Sequence, residues 1–195
     1  MTLGGTSIQI TDSAGHSQLA PLFAVTPSQA NILVPAGLAA GRVTITVLLG
    51  AAAPMAWSVA TASSAPGLYT MNSDGAGVAA AIAYVVTASD QRVSQTVFSC
   101  NPPAARSCLA APLSLGSATD ALYVELYGTG IRGAASVQCF VAGQSVPVIY
   151  AGASSYAGLD QVDISIPKGL AGMGDVLVYL LADGVASNVA SLNVQ

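Results

Sequence analysis

Short apolar runs separated by turn residues dominate the chain, and no long stretch holds the 3.6-residue period of an amphipathic helix. Where polar and apolar residues alternate, as in Gln161-Val162-Asp163-Ile164-Ser165-Ile166 and Val137-Gln138-Cys139-Phe140-Val141, every second side chain falls on one face of an extended strand. The pattern predicts strands over Thr6–Thr11, Leu22–Val25, Asn31–Val34, Val43–Leu49, Trp57–Thr61, Val78–Thr87, Ala121–Tyr127, Ser136–Val141, Val146–Tyr150, Gln161–Ile166, Val176–Leu181 and Ser187–Val194. Asp74-Gly75, Ala142-Gly143 and Asp183-Gly184 read as turns, because glycine accepts the positive φ of tight hairpins. Pro35 and Pro167 stop strands, since proline cannot donate to the ladder.

One pattern occurs twice. Ala20-Pro21-Leu22-Phe23-Ala24 leads to Gln29-Ala30-Asn31-Ile32-Leu33-Val34-Pro35 and then Gly37-Leu38, ahead of the strand that begins near Val43. Val146-Pro147-Val148-Ile149-Tyr150 leads to Gln161-Val162-Asp163-Ile164-Ser165-Ile166-Pro167 and then Gly169-Leu170, ahead of the strand at Val176. An insertion near Ser154–Leu159 accounts for the changed spacing. The expected fold is therefore all-β: two immunoglobulin-like β-sandwich lobes from an internal repeat. The first lobe covers residues 1–62, a linker 63–67, and a second, larger lobe 68–195. The first copy lacks the strands that precede the pattern in the second, so it reads as truncated or completed by its neighbouring lobe.

Composition supports pleated sheets and narrows the function. Of 195 residues, 53% are hydrophobic and only 7% charged, with nine acidic and five basic side chains giving a net charge of −4. Without a Lys/Arg cluster there is no means to neutralise phosphates, so nucleic acid is excluded as an expected partner. No apolar run reaches the roughly 18 residues of a spanning helix, so no membrane span is expected. The start at Met1-Thr2-Leu3-Gly4-Gly5 lacks the basic and apolar segments of a signal peptide, which leaves a removed signal or a larger parent protein open.

Cys100 and Cys108 bracket a proline-containing loop whose ends can meet. The reading is a disulfide, with two free thiols as the alternative; the bridge would add about 2–3 kcal/mol and point to an oxidising compartment. Cys139 sits in an alternating strand and reads as a buried free thiol.

A resemblance covers nearly the whole chain. Ala65-Pro66-Gly67-Leu68-Tyr69-Thr70, Gly75-Ala76-Gly77-Val78, Leu126-Tyr127-Gly128-Thr129-Gly130-Ile131-Arg132, Gly158-Leu159-Asp160-Gln161-Val162 and Gly172-Met173-Gly174-Asp175-Val176 carry it. In these segments the chain resembles the uncharacterised C-terminal β-domain family of secreted acidobacterial proteins of the Solibacter type. The resemblance implies an extracellular Ig-like accessory module and brings no activity with it.

Catalytic chemistry finds little material. His16 is the one histidine and lies among turn formers in Asp12-Ser13-Ala14-Gly15-His16-Ser17. No Gly-x-Ser-x-Gly elbow occurs, and three separated cysteines with one histidine do not make a zinc set. Neither a metal site nor a cofactor is therefore expected. Among the carboxylates, Asp160 precedes a strand at a loop, where it could touch a partner or a weakly held calcium ion. Asp163 reads as a solvated strand position. Glu125, the only glutamate, has no aromatic-rich cleft around it for glycoside chemistry. Leu126-Tyr127-Gly128-Thr129-Gly130 runs into another strand rather than a helix, so it reads as a strand bend and not a phosphate loop. Tyr156, in the inserted loop, is the aromatic best placed to contact a ligand or partner.

The expected function is that of a non-catalytic secreted or cell-surface module for structural display, adhesion or protein association, with an unknown protein or a glycan as partner. Carbohydrate binding beside an attached enzyme and an unrecognised hydrolase are the alternatives. Low charge and apolar sheet edges also lead us to expect self-association.

Overall fold

The structure, a computed structural model, describes residues 2–101 and 107–195. It is all-β, with one short 3-10 turn at Lys168–Leu170 among the described residues. Internal contacts divide the chain into two compact units, Met1–Ser63 and Ser64–Gln195.

Unit 1 contains β1 (Thr6–Thr11), β2 (Ser17–Leu19), β3 (Leu22–Val25), β4 (Ala30–Ile32), β5 (Gly41–Leu49) and β6 (Met55–Thr61). Four of these form an antiparallel sheet in the order β2-β1-β5-β6, while β3 and β4 pair only with each other. Register sets the faces: Ile10 stands opposite Ile45, Ile8 opposite Val47, Ile45 opposite Trp57 and Val47 opposite Met55. Aliphatics and Trp57 thus share one face, while Gln9, Thr44, Thr46 and Ser58 take the other. The fully buried core is small, comprising Ile8, Ile10, Ala20 and Val43, with Leu22, Ile32 and Leu38 packed against it. In the β3–β4 pair the register shifts by one residue between Leu22 and Ala24.

Unit 2 begins where a linker was expected. Ala65 N–H donates to Gly130 O at 2.9 Å, Ser64 Oγ reaches Ala182 O at 3.4 Å, and β7 (Gly67–Leu68) pairs with the end of β13 (Ala121–Thr129). The other strands are β8 (Ala81–Val86), β9 (Arg92–Gln95), β10 (Phe98–Cys100), β11 (Cys108–Ala110), β12 (Pro112–Leu113), β14 (Val137–Val141), β15 (Gln144–Val146), β16 (Val148–Ala153), β17 (Asp160–Ile166), β18 (Gly174–Ala182), β19 (Val185–Ala186) and β20 (Ala190–Val194). One sheet runs β16-β17-β13-β8-β9, with β7 attached to β13; another runs β12-β20-β18-β14-β15, with β19 attached to β18. Most of its pairs are antiparallel; β12 joins β20 in parallel.

The inward residues of these two sheets make one buried cluster, with Leu122, Val124 and Leu126 of β13 and Val162 and Ile164 of β17 joined by Val178 and Leu180 of β18 and Leu192 of β20. Alternation along β13, β17 and β18 buries every second residue, most of them in this cluster, as a half-buried strand requires. Ala142 and Gly143 (φ 52° and 75°) turn β14 into β15, and Asp183 and Gly184 (φ 50° and 81°) turn β18 into β19. Positive φ at both central residues is the hairpin geometry that matches strand twist.

Candidate functional site

The apolar face of the β1–β5–β6 sheet is not fully covered in unit 1. Between it and the β3–β4 hairpin lies an open groove of about 370 Å³, walled by Ile8, Ile45, Val47, Leu49, Met55 and Trp57 on the sheet and by Val25, Ala30 and Ile32 on the hairpin. The hairpin end is held by Thr26, whose Oγ1 accepts the N–H of Gln29 at 3.0 Å and whose N–H donates to Gln29 O at 2.8 Å. No charged side chain lines the groove. It is thus suited to apolar surface and offers no acid or base. Met55 and Trp57 remain 53% and 49% exposed; fully covering a large apolar side chain contributes about 1.5–3 kcal/mol. The alternating pattern placed Trp57, though not Met55, on a strand and gave no sign of the groove, because the groove arises from what does not cover them.

The two residues singled out for contact sit differently. Tyr156 is 72% exposed at the tip of the β16–β17 connection. Its backbone N–H donates to Ser154 Oγ at 3.1 Å, and Ser154 N–H to Leu159 O at 2.9 Å, which presents the ring on an internally bonded loop. Asp160 requires a correction: it is buried, with 1% of its surface accessible. One oxygen accepts the N–H groups of Ile131 and Arg132 at 2.7 and 3.1 Å, and the other forms a close ion pair with Arg132 Nε. Arg132 Nη2 also donates to Leu159 O at 2.7 Å. A carboxylate whose oxygens are occupied in this way braces the Gly130–Arg132 loop rather than meeting a partner. Among the described residues, no group of three or more His, Cys, Asp or Glu side chains could hold a metal ion.

A second surface lies on the outer face of the β8–β13–β17 sheet. Tyr84 and Tyr123 stack with centroids 5.7 Å apart, and the Arg92 guanidinium lies 4.4 Å from the centre of the Tyr84 ring. Beyond them Glu125 stands opposite Asp163, and Tyr127 OH donates to Glu125 Oε2 at 3.2 Å. Burial, then the Glu125 charge, pushes the Tyr127 phenol up to about 12, so it stays protonated and keeps donating. Asp163 accepts from Gln161 Nε2 at 2.7 Å. The strand assignment of these tyrosines was legible in the sequence, but their convergence across β8 and β13, beside Asp163 of β17, was not.

His16 lies in the β1–β2 turn with its side chain 79% exposed and Nδ1 3.7 Å from Asp12. Asp12 is the anchor of that turn: Oδ1 accepts from the N–H groups of Ala14 and His16 at 2.9 Å each, and Oδ2 from Ala39 at 3.0 Å. The Ala39 bond foremost, then those of His16 and Ala14, hold the Asp12 carboxyl below its ordinary range against the opposing effect of burial. A lowered folded pKa stabilises above the unfolded value and is lost as pH falls through the folded one. Unit 1 is therefore expected to keep this contribution above about pH 5 and to lose it in acid. Trp57, the only tryptophan, reports on this unit: acid titration of its emission should show an unfolding limb that Asp12→Asn flattens.

Cys100 and Cys108 form a disulfide across the paired strands β10 and β11. The loop expected between them lies at 102–106 outside the described residues. Cys139 is a free, buried thiol that burial pushes up to about 12. It is thus a protonated core residue rather than a nucleophile. Among the described residues, no helix is long and apolar enough to cross a membrane.

No family model matches the chain, and no curated protein matches it.

Proposed function

We propose that this protein is a non-catalytic extracellular or cell-surface module of two Ig-like β-sandwich lobes, and that it acts in association through the open apolar groove of unit 1. The groove itself carries the reading: a contiguous uncharged surface including half-exposed Trp57 and Met55 is what an interaction site leaves uncovered.

Matched pairings support the repeat. Gly41 pairs with Thr61 in unit 1 and Gly174 with Val194 in unit 2. Leu22 pairs with Ile32 ahead of a one-residue shift, and Val148 pairs with Ile164 ahead of another. Leu33 N–H donates to Pro21 O at 2.9 Å, and Ser165 N–H to Pro147 O at 3.0 Å. The sheet order β2-β1-β5-β6 has its counterpart in β15-β14-β18-β20. An extracellular setting is supported by the disulfide, which persists in oxidising compartments, and by the resemblance to secreted acidobacterial β-domains.

A second reading, glycan binding, rests on the Tyr84–Tyr123–Tyr127 face with the Glu125 and Asp163 carboxylates beside it. Stacking rings and adjacent acceptors suit a sugar's apolar face and hydroxyls.

The two readings separate on variants of exposed Met55 and half-buried Tyr123. The intact chain should bind the apolar dye anilinonaphthalene sulfonate saturably, and Met55→Asp should weaken that binding about tenfold, the equivalent of 1.4 kcal/mol. Absence of dye binding, or binding indifferent to Met55→Asp, rejects the groove. Retention on a glycan array that Tyr123→Ala removes and Met55→Asp leaves intact puts the second reading in its place.

A further inference from the structure

Within its own fold, unit 2 fills with one of its own strands the position that stays open in unit 1. On the repeat reading above, on which this inference rests, Ala30, Ile32 and Val34 correspond to Val162, Ile164 and Ile166, and Ile45 and Val47 to Val178 and Leu180. In unit 2, β13 lies antiparallel along β17 on the side away from β16, with Leu126, Val124 and Leu122 opposite Val162, Ile164 and Ile166. All six are buried, none more than 3% exposed. In unit 1, β4 pairs only with β3 among the described residues, and Ala30 and Ile32, with Ile45 and Val47 of the sheet, line the groove.

The backbone of β4 completes the geometry. Gln29 O accepts from Thr26 N–H, and Leu33 N–H donates to Pro21 O, both toward the β3 side. Successive residues of a strand direct their N–H and C=O to opposite edges, so Ala30 and Ile32 present theirs to the side away from β3. An unpaired edge therefore borders an uncharged apolar slot. The two together are the halves of a strand-addition site, in which main-chain bonds fix direction and alternate side chains fill the slot.

We infer that the unit 1 groove is a strand acceptor: an extended segment of a partner polypeptide, aliphatic at every second residue and uncharged at those positions, adds antiparallel to β4 and takes the place that β13 takes beside β17. Charged residues are tolerated only at the intervening positions, as Glu125 is in β13. Antiparallel pairing puts the aliphatic residues opposite Ala30 and Ile32, and a shift of one residue would turn them out of the slot.

The probe is a synthetic peptide with the sequence of residues 121–129, Ala-Leu-Tyr-Val-Glu-Leu-Tyr-Gly-Thr, flanked by lysines for solubility and added to the intact chain. Binding should shift Trp57 emission saturably to the blue and slow amide exchange at Ala30 and Ile32 by about tenfold or more. Peptides carrying Val124→Pro, or serine at 122, 124 and 126, should do neither, and Met55→Asp in the chain should weaken the response to the unaltered peptide. Three results would overturn the inference: an equal response to the proline peptide, protection at an edge other than β4, or no protection at all. Concentration-dependent dimerisation that protects Ala30 and Ile32 without peptide would overturn it too, by making a second copy the occupant. Dye binding that Met55→Asp weakens, with no response to the peptide, would reject the strand and leave the association reading standing.

Discussion

Asp160→Ala is expected to lower the stability of unit 2 by about 2–4 kcal/mol without removing any partner contact. Its side chain is 2% exposed, and the carboxylate receives the N–H groups of Ile131 and Arg132 as well as the Arg132 guanidinium. Truncation strands the buried Ile131 N–H; the Arg132 side chain, 43% exposed, can rehydrate, which keeps the cost below that of breaking a fully buried pair. Asp160→Asn retains one carbonyl acceptor but turns an amide donor toward the guanidinium or the backbone N–H groups, so it should fall between Ala and the native residue. Urea unfolding followed by far-ultraviolet circular dichroism measures the difference. A change within about 0.5 kcal/mol, the range of an ordinary surface substitution, would count against the bracing role.

Asp160 illustrates where local pattern stops informing. A carboxylate at the start of a strand beside Gly158-Leu159 has the signature of a solvated loop residue, and nothing nearby in sequence reveals a partner. Its partners are 28 and 29 residues away, at Arg132 and Ile131, and only the pairing of β13 with β17 brings them together. Tyr156 is different: its place among Ser154, Ser155, Ala157 and Gly158, between two strand patterns, is a local loop signal, and the ring is exposed as that signal implies. Local turn chemistry also sufficed for the Asp12–His16 turn and for Ala142-Gly143.

The strands show the same division. Thr6–Thr11 and Leu22–Val25 have the bounds that alternation predicts, and the long strands β5, β13, β17 and β18 differ from expectation only by one to three residues at their ends. β2, β7, β9, β10, β11, β12 and β19 were not predicted, and none is longer than four residues. Segments so short have no period to detect; most pair with a longer neighbour, as Gly67 and Leu68 do with Thr129 and Gly128, while β10 and β11 pair with each other across the Cys100–Cys108 disulfide. The groove was invisible for a related reason. Ile45 and Val47 have the alternation of a covered face, and sequence pattern reports which side chains share a face without reporting whether anything lies on it.

Gly130→Ala is expected to be the most damaging single-atom addition in unit 2, at more than about 3 kcal/mol, since strained backbone alone costs 1–3 kcal/mol and a steric conflict adds to it. Gly130 has φ +71°, and a Cβ there would stand 2.0 Å from Ala65 O. Ala65 cannot simply retreat, because its own N–H donates to Gly130 O at 2.9 Å and the next residues continue into β7 against β13. Moving Gly130 instead would displace Ile131 and Arg132 from the carboxylate of Asp160, so one methyl group acts on the strand pairing and the brace together. Gly143→Ala supplies the control: φ is +75°, but no atom lies within 4 Å of the added carbon, so only the backbone cost of about 1–3 kcal/mol applies. Urea midpoints for the two variants, at unchanged slope, isolate the steric part. Equal losses would mean that the approach of Ala65 to Gly130 relaxes freely and that the expected bend at Gly128-Thr129-Gly130 needs glycine for its dihedral angles alone.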